Sequence, residues 1–359
     1  NVGIILMGLG AAMLFQGGGH PALAVLGVVA ALYHVVNHAA FKTLLFLGAG
    51  AVVHATGTRN MEALGGLVKR MPWTAACFLA GAAAIAALPP LNGFASEWLT
   101  FQALLQNLAL AHAGLNLAFA VAIAALALTG GLAVAAFVKA FGITFLALPR
   151  SGAADEAHEA GLAMRAGMLL LVVACALLGL GVTAVVPVLG AVAHSLTGGA
   201  APVAVAGWFT LRVSGTFASL SVPVVAAALG GALALVGATL ALRGIPPRPY
   251  ETWGCGRLVQ TARMEYTATA FANPFTRVFD FFYRPVKQLE IDAHPESRLF
   301  VHRILYDNPT RSIFDDWLYR PALTALQRGA HTARLIQSGS ANLYLVYVLA
   351  ALLVLLVIA

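Results

Sequence analysis

Apolar residues run through the chain in long blocks and not in alternation. Blocks at 2–16, 20–54, 73–88, 95–112, 115–146, 163–190, 219–242 and 338–358 read as helices, and several exceed the roughly eighteen apolar residues that a membrane span needs. They are rich in Ala, Leu and Gly, whose small side chains let transmembrane helices approach closely, whereas the two-residue alternation of an outer-membrane barrel is weak. The pattern predicts an all-α, polytopic transmembrane bundle.

Two blocks carry polar interruptions. The block at 20–54 is far longer than a ~30 Å hydrocarbon core requires at about 1.5 Å per residue. It is therefore expected to be tilted, partly outside the membrane, or broken, with the polar patch at 33–42 as the natural place for irregularity. The run at 88–93, Leu-Pro-Pro-Leu-Asn-Gly, leaves backbone groups unpaired, which a membrane tolerates only beside protein or a wet cavity. A discontinuous helix is expected there.

Counting one crossing per block places loops 147–162 and 243–337 on one side and loops 56–72 and 191–218 on the other. The composition changes after residue 242: the stretch 243–334 holds thirteen of the twenty-one Lys/Arg residues, nine acids, Trp253 and Trp317, and prolines at 274, 285, 295, 309 and 321. The excess of basic residues favours a cytoplasmic placement. Three regions follow: a bundle at 1–242, a cytoplasmic or interfacial amphipathic connector at 243–337, and a final span at 338–359. Within the connector, 276–282 and 298–306 interleave aromatic and basic residues at roughly helical spacing, as interfacial helices do. A small cytosolic subdomain packed on the bundle is the alternative. Nucleic acid is discounted, because acids are mixed through the region and no recognition motif occurs.

Charge then singles out a few positions. His34, His38 and Lys42 stand at i, i+4 and i+8, so one slightly winding stripe of a helix carries them all, with Asn37 beside it. Histidine titrates near neutral pH and passes protons between its two ring nitrogens. Packing histidines with a snorkelling lysine would look the same. Glu97 is the one acid inside an otherwise uncharged apolar stretch. It reads either as a functional intramembrane carboxylate or as a first-turn acid held by the helix dipole. Lys139, two turns from its helix end, reads as a snorkelling side chain or a third intramembrane charge. Asp155, Glu156, His158 and Glu159 read as a solvated loop, as do Arg59, Glu62, Lys69 and Arg70. Cys77, Cys175 and Cys255 lack metal-ligand spacing, and no phosphate loop or nucleophile elbow occurs. No catalytic residue, metal or cofactor is expected in this chain, and its start inside an apolar helix reads as the C-terminal part of a longer protein.

Three long motifs then carry a resemblance. Residues 32–50 (Leu-Tyr-His-Val-Val-Asn-His-Ala-Ala-Phe-Lys-Thr-Leu-Leu-Phe-Leu-Gly-Ala-Gly), 60–67 (Asn-Met-Glu-Ala-Leu-Gly-Gly-Leu) and 87–98 (Ala-Leu-Pro-Pro-Leu-Asn-Gly-Phe-Ala-Ser-Glu-Trp) resemble the antiporter-like subunits of NADH-quinone oxidoreductase, multisubunit cation/proton antiporters and membrane-bound hydrogenases. The motifs at 250–256 (Tyr-Glu-Thr-Trp-Gly-Cys-Gly), 264–271 (Met-Glu-Tyr-Thr-Ala-Thr-Ala-Phe) and 337–347 (Gln-Ser-Gly-Ser-Ala-Asn-Leu-Tyr-Leu-Val-Tyr) are similar to the hydrogenase-4 component B and formate hydrogenlyase subunit 3 branch. The resemblance implies a proton-translocating, multi-pass subunit of the cytoplasmic membrane. Its implied partners are other membrane subunits, a peripheral redox arm carrying the metal centres, and the lipid bilayer. It places His34, His38 and Lys42 on a central proton line and Glu97 at its terminal position, leaves Lys139 open, and puts the family's earlier Glu–Lys pair before residue 1. It also implies a lateral helix over 243–337, which the prolines of that region argue against. A sodium/proton antiporter subunit and a non-conducting membrane anchor are the competing functions.

Overall fold

The computed structural model of the chain describes residues 1–200, 202–214, 218–244, 255–256, 259–286, 288–294, 297–307, 312–334 and 339–358. Trp253, Pro295 and Pro309 lie outside the described residues, as do residues 250–254 of one branch motif and 337–338 of another. Contacts divide the chain into two units, Asn1–Ala270 and Phe271–Ala359.

The first unit holds α1 (Val2–Gly17), α2 (Pro21–Thr56), α3 (Pro72–Ile85), α4 (Asn92–Leu104), α5 (Ala113–Phe145), α6 (Gly152–Asp155), α7 (Leu162–Leu180) and α8 (Val182–Thr197). A small antiparallel sheet follows, β1 (Val203–Ala206), β2 (Thr210–Val213) and β3 (Ser219–Leu220), and then α9 (Val222–Leu242). α10 (Ala268–Val278) runs across the boundary. The second unit adds α11 (Asp280–Tyr283), the hairpin β4 (Gln288–His294) and β5 (Ser297–Asp307), α12 (Arg320–Arg334) and α13 (Ala341–Ile358). Helices predominate, and among the described residues α2, α5, α7, α9 and α13 are long and apolar enough to cross a membrane. The all-α transmembrane expectation holds, with the two sheets as minor additions.

Of the readings open for this block, a break at 33–42 is not the one observed: α2 is unbroken through the patch. Residues 28–47 contain neither Gly nor Pro, and the polar side chains of the patch bond neighbouring helices and leave their own backbone ladder intact. At about 1.5 Å per residue its 36 residues reach about 54 Å, so α2 extends beyond the hydrocarbon core.

The breaks lie in its neighbours. α3 and α4 have 14 and 13 residues, each about 20 Å long and too short to cross alone. They are two halves of one crossing, as the loops show. Gly66 N–H donates to Leu146 O at 2.8 Å, Arg150 Nη1 to Leu64 O at 2.7 Å, and Ser151 Oγ to Ala63 O at 2.7 Å. Loops 57–71 and 146–161 therefore share the Thr56 end of α2, where Leu148 N–H also donates to Glu265 Oε1 at 2.8 Å. This corrects the one-crossing-per-block count, which set 56–72 opposite 147–162. At the other end Gln16 Nε2 donates to Thr197 O at 3.2 Å.

The block at 163–190, expected as one helix, is likewise two. α7 ends at Leu180, α8 begins at Val182, and together they form a second interrupted crossing. α2 packs against all four half-crossings. The second connector stretch expected to be helical, 298–306, is strand β5 paired with β4, whereas 276–282 is helical as expected. Arg, Leu, Phe, Val, Ile and Tyr dominate 298–306, and β-branched and aromatic residues favour a pleated ladder once a partner strand exists.

Apolar packing forms two main cores. One joins α1, the first part of α2, α4, α8 and the sheet around Phe15, Leu26, Leu99 and Leu211. The other joins the later part of α2, α3, the end of α5 and Cys175 of α7 around Phe41, Met71, Phe78 and Phe145. Between them along α2 lie the buried polar residues His34, Asn37, Asn92, Ser96 and Glu97.

The acidic loop is more than a solvated face. Glu159 caps α3 from a distance, accepting from Trp73 N–H at 2.8 Å and Thr74 Oγ1 at 2.6 Å, and Arg70 pairs with Asp155 at 2.7 Å. Partial burial pushes the Glu159 carboxyl up, but the hydrogen bonds from Thr74, Ala160 and Trp73 outweigh it and hold its pKa below the usual carboxylate value.

Two outcomes follow. In a cysteine-free background, Arg59→Cys and Glu156→Cys will be labelled by an impermeant thiol reagent from the same side of the membrane and Ser195→Cys from the opposite side; opposite labelling of the first two would restore three separate crossings. Glu159→Gln will lower the melting temperature at neutral pH, and the gap to the parent will close as pH falls through the depressed carboxyl pKa, because that contribution exists only while Glu159 is ionised. A gap independent of pH would show that charge is not what caps α3.

Candidate functional site

The stripe on α2 faces α4 across the two breaks. The helices run antiparallel, so successive turns pair. Asn37 Nδ2 donates to Asn92 O at 2.9 Å, and Asn92 Nδ2 lies 3.3 Å from Asn37 Oδ1 and 3.4 Å from Asn37 O. One turn along, His34 Nδ1 stands 3.0 Å from Ser96 Oγ, with its Nε2 3.1 Å from Asn1 Oδ1. Tyr33 hydroxyl donates to Leu178 O, just before the α7–α8 interruption. α2 thus supplies a side-chain donor to a carbonyl in the last turn of α7, of the kind a helix end leaves without an intrahelical partner, and another to a carbonyl in the first turn of α4.

The line continues outward. The His34 and His38 rings lie nearly parallel, 6.5 Å apart between centroids, with Phe41 edge-on to both. His34 is buried, while His38 and Lys42 are half-buried. The Lys42 ammonium sits 5.3 Å from the centre of the exposed Phe46 ring, where the ring's negative face attracts it. Exposure therefore rises from His34 to His38 and Lys42.

Glu97 is 8% exposed and has no hydrogen-bond partner among the described residues. α4 begins at Asn92, so Glu97 stands in its second turn, and the first-turn acid reading is set aside. The expected break before it is present. Lys139 is half-buried on α5 and shares no hydrogen bond or ion pair with His34, His38, Lys42 or Glu97 among the described residues.

Three participants were not singled out by sequence: Ser96, Asn92 and Tyr33. Asn92, Ser96 and Thr100 stand at i, i+4 and i+8 on α4, a polar stripe matching the one on α2. That spacing was the available signal.

Gly93 lets the break close. A Cβ there would run into the carbonyl oxygen of Ala84, the last turn of α3. That turn ends with Leu88 N–H bonded to Ala83 O at 2.9 Å and Ala87 N–H to Ala84 O at 3.1 Å, around a left-handed Ala87 (φ 53°). This double closure meets the orphan carbonyls at the end of α3. Gly179 has a parallel role, since a Cβ there would lie 2.8 Å from Asn92 N and closer still to Pro90 O. The two interruptions pack directly on one another.

Residues 20–124, which hold all of α2, α3 and α4, match the family model described as NADH:quinone oxidoreductase/Mrp antiporter, TM. The chain is 40% identical over 365 residues to hydrogenase-4 component B of Escherichia coli (strain K12), covering 99% of this chain and 53% of the relative. It is 43% identical over 194 residues to formate hydrogenlyase subunit 3 of the same organism, covering 53% of this chain and 31% of the relative. The chain thus spans about half the length, or less, of the curated relatives it matches. Its fold is similar, with a TM-score of 0.59 at 22% identity, to a chain of the membrane-bound sulfane sulfur reductase, an archaeal respiratory membrane complex, covering 99% of this chain and 54% of that one. The antiporter-like resemblance of the motifs, with its hydrogenase-4 and formate hydrogenlyase branch, therefore stands, and the chain is a membrane protein.

Gly93→Ala will destabilise the bundle by about 1–3 kcal/mol or more, since packed interiors do not yield to an inserted methyl group. A lower melting temperature and poorer yield in detergent will show it. A Gly93→Ala protein as stable as the parent would mean that α3 and α4 do not meet as closely as described.

Proposed function

We propose that this chain carries the exit part of a proton path in a membrane subunit of a redox-driven complex of the hydrogenase-4 or formate hydrogenlyase kind. The observation that carries the reading is the set of buried and half-buried titratable groups, His34, His38, Lys42 and Glu97, around a broken crossing in the segment that matches the antiporter-like family. Intramembrane ionisable residues are costly and are kept where they conduct or bind.

In this reading His34 and His38 take up and release protons at their ring nitrogens. Their 6.5 Å separation calls for a bridging group, for which water is the chemical fit. Lys42 modulates the line through its charge, and Glu97 is the terminal carboxylate. Lys139 on α5 is assigned a further part in proton transfer beyond this group. Electron transfer takes place in partner chains, a peripheral redox arm among them, and no step of it is assigned here.

Orientation follows from the corrected topology. The short loops at the Thr56 end carry Arg59, Lys69, Arg70 and Arg150, while among the described residues the Pro21 end carries Arg212. Positive charge in short loops marks the cytoplasmic side, which supports a cytoplasmic membrane with the Thr56 end inward.

In the full-length protein within its complex, reconstituted in liposomes, Glu97→Gln and Lys42→Ala will assemble but lose most redox-driven proton uptake, on the order of a hundredfold for Glu97→Gln. Normal uptake by Glu97→Gln would leave Glu97 a structural acid. Uptake that depends on sodium would instead identify a cation antiporter.

A further inference from the structure

Ser96 is fully buried, and its hydroxyl has three acceptor or donor partners and only one proton. Its Oγ lies 3.0 Å from His34 Nδ1, 3.3 Å from Asn92 O and 3.2 Å from Gly93 O. Two settings satisfy this geometry. When Nδ1 is bare, the hydroxyl donates to it. When Nδ1 carries a proton, the ring donates to Oγ, and the hydroxyl proton turns to the Asn92 or Gly93 carbonyl.

From this geometry we propose that Ser96 is a positioning residue for proton transfer, a hydroxyl rotor that keeps His34 Nδ1 hydrogen-bonded whether or not that nitrogen carries the proton. The inference rests on the proton-path reading above. Ser96 itself gains and loses no proton. A fixed donor such as a backbone N–H would favour the bare nitrogen, and a fixed acceptor such as a carbonyl would favour the protonated one. A hydroxyl that can turn to the Asn92 or Gly93 carbonyl, each able to accept one more hydrogen bond beside its present ones, serves both states, so neither leaves Nδ1 without a partner.

The surroundings make such a device necessary. His34 Nε2 is engaged at 3.1 Å by Asn1 Oδ1, Phe41 closes one side of the ring, and His38 lies 6.5 Å away. The other titratable side chains beside it are Lys42 on the same stripe of α2 and Glu97, next to Ser96 on α4. Ser96 is the side chain that meets Nδ1. It is held in place by α4, whose Asn92 is clasped by Asn37 one turn earlier.

The test uses the full-length protein in its complex, reconstituted in liposomes and scored for proton uptake per electron-transfer turnover. Ser96→Ala should slow uptake at least about tenfold, the scale on which misplaced reacting groups lose rate. Ser96→Thr, which keeps the Oγ, should restore it. Thr100→Ala removes a second buried hydroxyl of the same stripe, one bonded to Ser96 O at 3.0 Å and not to His34, and should pump as the parent does. Equal loss in Ser96→Ala and Ser96→Thr, or parental uptake by Ser96→Ala, overturns the proposal. Should Ser96→Ala fail to assemble, Ser96→Cys replaces it; its weaker hydrogen bonding should give an intermediate loss, and parental uptake overturns the proposal. His34→Gln separates the two readings. If it pumps normally, the proton path through His34 fails; if it is impaired while Ser96→Ala is normal, only the rotor fails.

Discussion

Backbone polar groups inside a bilayer must find partners within the protein, and the two interruptions in this bundle create several that regular helices would have satisfied. The architecture answers that requirement from one side. α2 remains regular and sends Tyr33 to the carbonyl of Leu178 and Asn37 to that of Asn92. A helix serving both breaks cannot itself be broken at the same level, and α2 is free of Gly and Pro across that stretch. The tight closure after α3 does the rest, at the cost of one alanine in the left-handed region.

This arrangement divides the interior into two apolar cores with a polar waist between them. Close packing of apolar side chains excludes water from both cores, so polar groups at the waist interact in a low dielectric, where a satisfied hydrogen bond holds firmly and an unsatisfied one is costly. The same property that demands the Asn37–Asn92 clasp makes the waist a suitable place for groups that change charge. Structural support and chemistry occupy the same turns of α2 and α4. A carboxylate, two imidazoles and a lysine are held there without an ion pair among them in the described residues.

The Thr56 end depends on a different balance. Its loops are stitched by charged side chains that bond backbone across the gap: Arg150 to Leu64, Ile143 and Tyr266, Glu62 to Thr269, and Glu159 to the start of α3. Hydrogen bonds with an ionised partner are stronger than neutral ones. Burial would raise the Glu62 carboxyl, yet the Thr269 hydroxyl and backbone N–H groups bring it below its ordinary value. Loops that sequence alone reads as solvated thereby fix how the short helices enter the membrane.

The sequence by itself determined the class of molecule, the helix break before Glu97, and the stripe of His34, His38 and Lys42. Each is a local property, carried by apolar run length, by Pro and Gly, or by four-residue spacing along a single helix. The antiporter-like resemblance was equally legible, because its motifs are long and continuous. Tertiary structure alone decided that α3 and α4 make one crossing, that Gly181 opens a second break, and that 298–306 becomes a strand. It also decided that Ser96, Asn92 and Tyr33 join the site. Those outcomes depend on which helix lies opposite: the Asn92, Ser96 and Thr100 spacing can be read along α4, but that Ser96 meets His34, 62 positions away, cannot.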